Sequence, residues 1–174
     1  LHILHSESAS GWGGQEIRVF QESELLLERG NRVSIICQPD SFLWNKSQVI
    51  ASPDFNCYPL QMKNLANPFS FASVLSILKN TKPDIIHTHS SIDSWLVGTA
   101  SKLLGLPVVR SRHISIPIRS VFPNNLLYSH IPKKIITSGE VISEIVKSVS
   151  GVKTENVKSI SAGVDFRKFD FNID

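Results

Sequence analysis

Two rhythms alternate along this chain. Short β-branched and aliphatic runs at 1–6, 32–38, 56–60, 84–89, 107–112, 134–138 and 157–161 are separated by longer stretches whose apolar positions fall three and four residues apart. Several runs, such as Val33-Ser-Ile-Ile36 and Ile135-Ile136, are apolar at consecutive positions, as strands buried on both faces of a parallel sheet require. Helices must therefore cover both faces. The first is expected to start at Gly13 or Gly14 and run to Arg29, with Ile17, Phe20, Glu24 and Leu27 on its inner face, widened by Val19 and Leu26, and Gly30 as its stop signal. Others are expected over 70–80, 91–104 and 140–150, and Leu104-Gly-Leu-Pro107 reads as a helix-to-strand junction. Segments 41–47 and 123–130 read as short helices or irregular chain.

Strands alternating with helices imply right-handed crossovers and an α/β fold, a Rossmann-like doubly wound parallel sheet of about seven strands with helices on both faces. In the common order 3-2-1-4-5-6 the winding reverses between the first and fourth strands, and a ligand crevice opens beyond their carboxyl ends. The loops after Ser6, His89 and Arg112 should then converge on one rim.

Composition narrows the function classes. With 174 residues, 41% of them hydrophobic, the chain can bury one core and not comfortably two. Eighteen Lys and Arg against fifteen Asp and Glu give a net charge of only +3. No basic stripe interleaved with aromatics appears, so nucleic acid is not an expected partner. No run approaches the ~18 apolar residues of a membrane span. Residues 1–6 lack the basic leader and small-residue cleavage site of a signal peptide. Cys37 and Cys57 read as plain buried thiols, consistent with a cytoplasmic setting.

The expected rim carries the candidate chemistry. Ser8-Ala-Ser-Gly-Trp-Gly-Gly-Gln-Glu16 is a Gly-rich loop feeding a helix N-terminus, where free N–H groups suit a phosphate or carboxylate; a tight turn without a ligand would need the same glycines. Glu16 stands where a dinucleotide fingerprint needs its last glycine, and no Gly-Lys-Ser/Thr marks a P-loop. His87 and His89 share one side of the fourth strand, with His5 and His113 expected nearby. Such a set suits zinc, but no carboxylate has the spacing of a ligand set, so the histidines are read as polar lining and no metal ligand is expected. Asp93 is either a first-turn acid or a substrate contact. Arg110 and Arg112, with Arg119 beyond them, suit an anionic group if they are not simply solvated.

Taken in order, these segments resemble the N-terminal domain of the family 4 glycosyltransferases, which have the two-domain GT-B fold. The matching pieces are Gly13-Gly-Gln-Glu16, Arg29-Gly-Asn-Arg-Val-Ser34, Pro83-Asp-Ile-Ile-His-Thr-His89, Pro107-Val-Val-Arg-Ser-Arg-His113, Ile136-Thr-Ser-Gly-Glu140, and Gly163-Val-Asp165 followed by Phe169. The resemblance implies retaining transfer of a sugar from a nucleotide-diphosphate donor to the hydroxyl of a sugar, lipid or other acceptor, usually without a metal or other cofactor. It implies donor-phosphate contact at Gly13 and Gly14, and a catalytic His113 that positions or polarises the transferred sugar. Gln15, Glu16, His89, Asp93, Arg110 and Arg112 fall on the acceptor side. Residues 1–165 would form the N-terminal domain and 166–174 the start of a linker, with the donor-binding C-terminal domain absent from this chain. A cytoplasmic enzyme follows, with peripheral contact to the inner membrane face through Lys133, Lys134 and the arginines. One departure stands out: Ser161-Ala-Gly163 replaces the family's Pro-Asn-Gly. The alternative is a stand-alone, non-catalytic binding module for a phosphorylated small molecule.

Overall fold

The structure is a computed structural model that describes residues 1–63, 67–119, 121–161 and 163. The expected matches at Val164, Asp165 and Phe169, and the expected linker, lie outside the described residues. Seven parallel strands, β1 (His2–Glu7), β2 (Arg32–Cys37), β3 (Phe55–Pro59), β4 (Ile85–Thr88), β5 (Val108–Arg112), β6 (Lys134–Thr137) and β7 (Val157–Ser159), form one sheet in the order β3-β2-β1-β4-β5-β6-β7. The winding reverses between β1 and β4, whose registers pair Leu4 with Ile86 and His5 with His87. This is the doubly wound fold expected from the alternation, and its crevice opens at that reversal.

Two apolar clusters sit on opposite faces of the sheet. Alternate strand positions Leu4, Ile36, Ile86, Val108 and Ile135 face α3 (Pro68–Thr81), α5 (Thr99–Leu103) and α7 (Glu140–Lys147), burying Val74, Leu78, Ala100 and Val146 against them. On the other face Ile35 and Cys37 meet Val19 of α1 (Gly14–Glu28) and Leu43 of α2 (Phe42–Ser47). Each fully buried Leu, Ile or Val contributes about 1.5–3 kcal/mol, so the sheet is held from both sides.

Local sequence explains most boundaries. Gly30 and Gly105 follow α1 and α5 at φ of +74° and +71°, a region open to glycine, which ends each helix and turns the chain toward the next strand. The α3 helix starts before the expected residue 70 because Asn67 caps it, its Oδ1 accepting from the Phe69 N–H at 3.0 Å, with Pro68 in the first turn. Both doubtful segments are in part helical: α2, and α6 (Leu126–Ser129).

Two expectations are corrected. The innermost face of α1 is Glu16, Val19 and Ser23, while Ile17, Phe20, Glu24 and Leu27 are only half-buried. Phe20 lies to the side, edge-on to Trp12 at 6.0 Å, and the helix is rotated so that Val19 meets Ile35 and Leu43. The expected helix over 91–104 is interrupted: α4 (Ser91–Asp93) passes through a π-helical turn, Ser94–Gly98, into α5. Ser94 Oγ donates to Ser90 O and Thr88 Oγ1, and Gly98 lets Ile131 pack close, both of which favour the wider turn there.

Candidate active-site rim

The loops after β1, β4 and β5 converge as expected. Ser8 Oγ lies 2.5 Å from Ser90 Oγ, and Arg110 Nη1 donates to Ser90 O at 3.3 Å. Asp93 organises this junction. Its Oδ2 accepts from Ser6 Oγ at 2.8 Å and from the His89 N–H at 2.9 Å, and its Oδ1 accepts from the Ser90 N–H at 2.7 Å and from Ser90 Oγ. With 0% exposure it ties β1 to the β4–α4 turn and has no surface for a substrate, so of its two readings the geometry favours the first-turn acid.

Strand alternation divides the basic residues between the faces. Ser111 and His113 point with His5, His87 and His89 toward the α1 side, and Arg110 and Arg112 point the other way. The His89 and His113 rings are parallel within 8° at 5.9 Å, and His5 Nδ1 lies 3.0 Å from His89 Nε2. His87 Nε2 is 2.7 Å from Ser111 Oγ. Burial pushes His5 and His87 down to about 3 and takes His89 well below its ordinary value, helped by the neighbouring imidazoles. His113 is lowered by burial and then by Arg18, yet it stays half-buried at the rim with no partner at Nε2 among the described residues. All four rings are therefore neutral near pH 7.

The two arginines are not solvated: Arg110 is 2% exposed and Arg112 9%. Both reach the Tyr128 hydroxyl, Arg110 Nη2 at 3.2 Å and Arg112 Nη1 at 2.8 Å, and Arg110 lies over the Tyr128 ring at 4.5 Å. Arg112 also donates to Ile116 O, at 2.5 Å. No carboxylate salt bridge reaches either among the described residues; burial pushes the Asp93 carboxyl up, opposed by its hydrogen bonds from Ser90, His89 and Ser6 and last by the Arg110 charge. Two buried, unneutralised guanidinium groups beside the rim make a positive field suited to an anion.

Gly13 caps α1 in extended backbone, and Gly13 and Gly14 are exposed; a Cβ at Gly14 would meet nothing within 4 Å. Glu16 folds back so that its Oε2 accepts from the Gly13 N–H at 2.7 Å, and Gln15 donates from Nε2 to Glu7. Glu7 was not anticipated. It is the last residue of β1, one beyond the expected strand end, and fully buried; burial and then the Asp93 charge push its carboxyl up to about 8. Tyr128 was missed too, since nothing in its surrounding sequence marks it as the partner of β5 arginines. The expected sites thus gather in three groups: the α1 loop with Gly13, Gly14, Gln15 and Glu16, the imidazoles, and the Arg110–Arg112 pair, with Asp93 pinning the turn between them. Lys133 and Lys134 lie apart, at the amino ends of the strands and so on the opposite edge from the rim.

Solved structures share this architecture at low identity. A glycosyltransferase from Rickettsia africae matches with a TM-score of 0.81 at 21% identity, over 99% of this chain and 46% of its own. HepE from Anabaena, in a complex with UDP-glucose, matches with a TM-score of 0.76 at 15% identity, over 95% of this chain and 45% of its own. The S. aureus MnaA–UDP structure follows with a TM-score of 0.66 at 16% identity, over 90% of this chain and 43% of its own. The chain therefore spans a little under half the length of these proteins. No curated protein matches the chain by sequence. Residues 12–168, which include Gly13 and Gly14, the histidines of β4 and the β5 end and the Arg110–Arg112 pair, match the model of Glycosyltransferase Family 4, and the chain belongs to that family.

Proposed function

We propose that this chain is the acceptor-side half of a retaining glycosyltransferase that moves a sugar from a nucleoside-diphosphate donor to an acceptor hydroxyl. The observation that carries the reading is the meeting of three loops over the β1–β4 reversal, with the exposed Gly13 and Gly14 on one bank and His113 on the other. A departing diphosphate needs fixed N–H donors where negative charge develops, and glycines at a helix N-terminus allow that close approach. The UDP and UDP-glucose in the MnaA and HepE structures support a donor of this class. His113, half-buried at the rim and kept neutral chiefly by burial, positions or polarises the transferred sugar rather than attacking it. Gln15, half-buried beside the loop, is the acceptor-side contact, while Glu16, His89, Arg110 and Arg112, all buried, shape the acceptor side through the rim and its field, as Asp93 does through the Ser90 turn. A second domain, joined through a linker that starts at residue 166, would hold most of the nucleotide.

The acceptor reading extends to an apolar or lipid-linked molecule, worked on by a cytoplasmic enzyme at the inner membrane face. Ile114, Ile116, Val121 and Phe122, 53–81% exposed, follow β5 directly beside Arg112, whereas Lys133 and Lys134 face the wrong edge for such contact. No described helix is long and apolar enough to cross a membrane. The test is His113→Ala in the complete enzyme, assayed for sugar transfer. The expected result is a fall in kcat of about 100-fold or more with unfolding temperature nearly unchanged, since His113 sits at the surface of the rim. Unchanged kcat would take His113 out of the site.

A further inference from the structure

Beneath the rim, three imidazoles crowd together where β1 meets β4. One ring nitrogen from each of His5, His87 and His89 lies within 4.8 Å of the other two, and all three residues are buried. His5 Nδ1 and His89 Nε2 are already 3.0 Å apart, close to the ~3.3 Å between two imidazole nitrogens sharing a tetrahedral zinc. The ring centroids of His87 and His89 are 4.1 Å apart, and those of His5 and His87 5.1 Å.

Hydrogen bonding does not account for this packing. Two neutral imidazoles facing each other share one proton, and the outer nitrogens, His5 Nε2 and His89 Nδ1, have no partner. Whichever tautomer forms, one of these buried rings keeps a lone pair with nothing to accept. A cavity of about 320 Å³ between α1 and the sheet reaches His5 and His87 and is lined also by Glu22, whose Oε2 lies 3.9 Å from His87 Nδ1. An entry path and one negative charge are thus present, although Arg18 holds the other Glu22 oxygen at 2.7 Å.

We propose that His5, His87 and His89 form a binding site for a divalent transition ion of the zinc class, entered from the α1 cavity and completed by water or Glu22. Nitrogen donors without thiolate, in a compact three-ring set, suit Zn²⁺ and its late first-row neighbours and exclude Ca²⁺ and Mg²⁺, which take oxygen. Each ring gives a lone pair while its hydrogen sits on the nitrogen that is not a ligand, so no proton need be released. The ion would clamp β1 to β4 under the reversal. It shares His89 with the proposed acceptor side but supplies no step of the sugar transfer, and it departs from the sequence expectation of no metal ligand. That expectation sought a carboxylate close in sequence, whereas Glu22 comes from α1.

The test uses the 174-residue chain without a histidine tag, stripped with chelator and titrated with Zn²⁺ by calorimetry and with Co²⁺ by visible absorption. The expected result is one equivalent bound, an intense d–d band of a four-coordinate site, and an unfolding temperature raised by about 5–10 °C at 100-fold excess over Kd. His89→Gln should weaken binding at least 10-fold. Because that variant could also loosen the core, Glu22→Gln at the half-buried α1 position provides a second arm, expected to weaken binding several-fold with its circular dichroism unchanged. A folded, stripped wild type that takes up less than 0.1 equivalent would overturn the site. So would full binding retained by His89→Gln, which would put the ion elsewhere, at His2 or His130. Neither result bears on whether the complete enzyme transfers sugar.

Discussion

Tyr128→Phe isolates the hydroxyl that joins the two buried arginines. The ring stays, so the contact with Arg110 at 4.5 Å and the packing of a side chain only 5% exposed are retained. What is lost is one acceptor serving two charged donors, at 3.2 Å and 2.8 Å. A hydrogen bond to a charged group contributes about 1.5–3 kcal/mol, and a donor left buried without a partner costs on the same scale. The Arg110 bond is the longer, and Arg110 keeps Ser90 O and Ser91 Oγ, each at 3.3 Å. Most of the loss therefore falls on Arg112, and the expected destabilisation is about 2–4 kcal/mol. For a chain of this size that lowers Tm by roughly 4–16 °C. Chemical denaturation of both proteins, with the m-value held constant, measures it. Inorganic phosphate should stabilise the variant more than the wild type, because two unneutralised guanidinium groups gain the most from an anion. A ΔΔG within 0.5 kcal/mol of zero, a scale set by ordinary surface changes, would refute the reasoning.

Three further outcomes are expected. Gly14→Val in the complete enzyme should raise the donor Kd at least 10-fold while leaving folding intact, since a Cβ there meets nothing within 4 Å; normal donor affinity, read by calorimetry, would remove Gly14 from the phosphate site. Gly98→Ala would usually gain about 1 kcal/mol of helix propensity, but its Cβ would come 2.8 Å from Ile131 Cγ2, and overpacking costs about 1–3 kcal/mol, so the variant should be neutral to 2 kcal/mol less stable by urea denaturation; a clear stabilisation would contradict the packing. His2 is lowered by burial and bonded to Ser34 Oγ and Thr81 O; the unfolded chain binds its proton first on acidification, so this contribution is full above about pH 6.5 and is lost as pH falls, and His2→Gln should make the stability–pH curve less steep just below that pH. A variant curve parallel to the wild type would show that His2 binds its proton alike in the folded and unfolded states.

The fold was legible because its signals are local and repeated. Consecutive apolar positions in β2 and β6 marked two-sided burial, and Gly30 and Gly105 marked the helix ends. From strand order alone, the loops after β1, β4 and β5 could be assigned to one rim, and alternation put His87 and His89 on one side. What escaped depends on distance. The rotation of α1 is set by Val19 meeting Ile35 and Leu43 across the sheet, which a hydrophobic period along the helix does not reveal. Tyr128 lies 16 residues beyond Arg112, and Glu22 reaches the imidazoles from another layer. The raised Glu7 carboxyl arises from burial and from Asp93, 86 positions away in sequence, and no motif carries such a signal. The arginines were visible as a pair, but their burial without a carboxylate partner was not.

The most direct measurement follows the anomeric configuration of the product. The complete enzyme would be supplied with an α-linked nucleoside-diphosphate sugar and an acceptor bearing a free hydroxyl, with the newly formed glycosidic bond read by proton NMR before any anomer can equilibrate. The account predicts an α-linked product from the complete enzyme, strongly diminished in His113→Ala, and no transfer by the 174-residue chain alone. A β-linked product would contradict retention, and transfer by the isolated chain would contradict its assignment as the acceptor-side half.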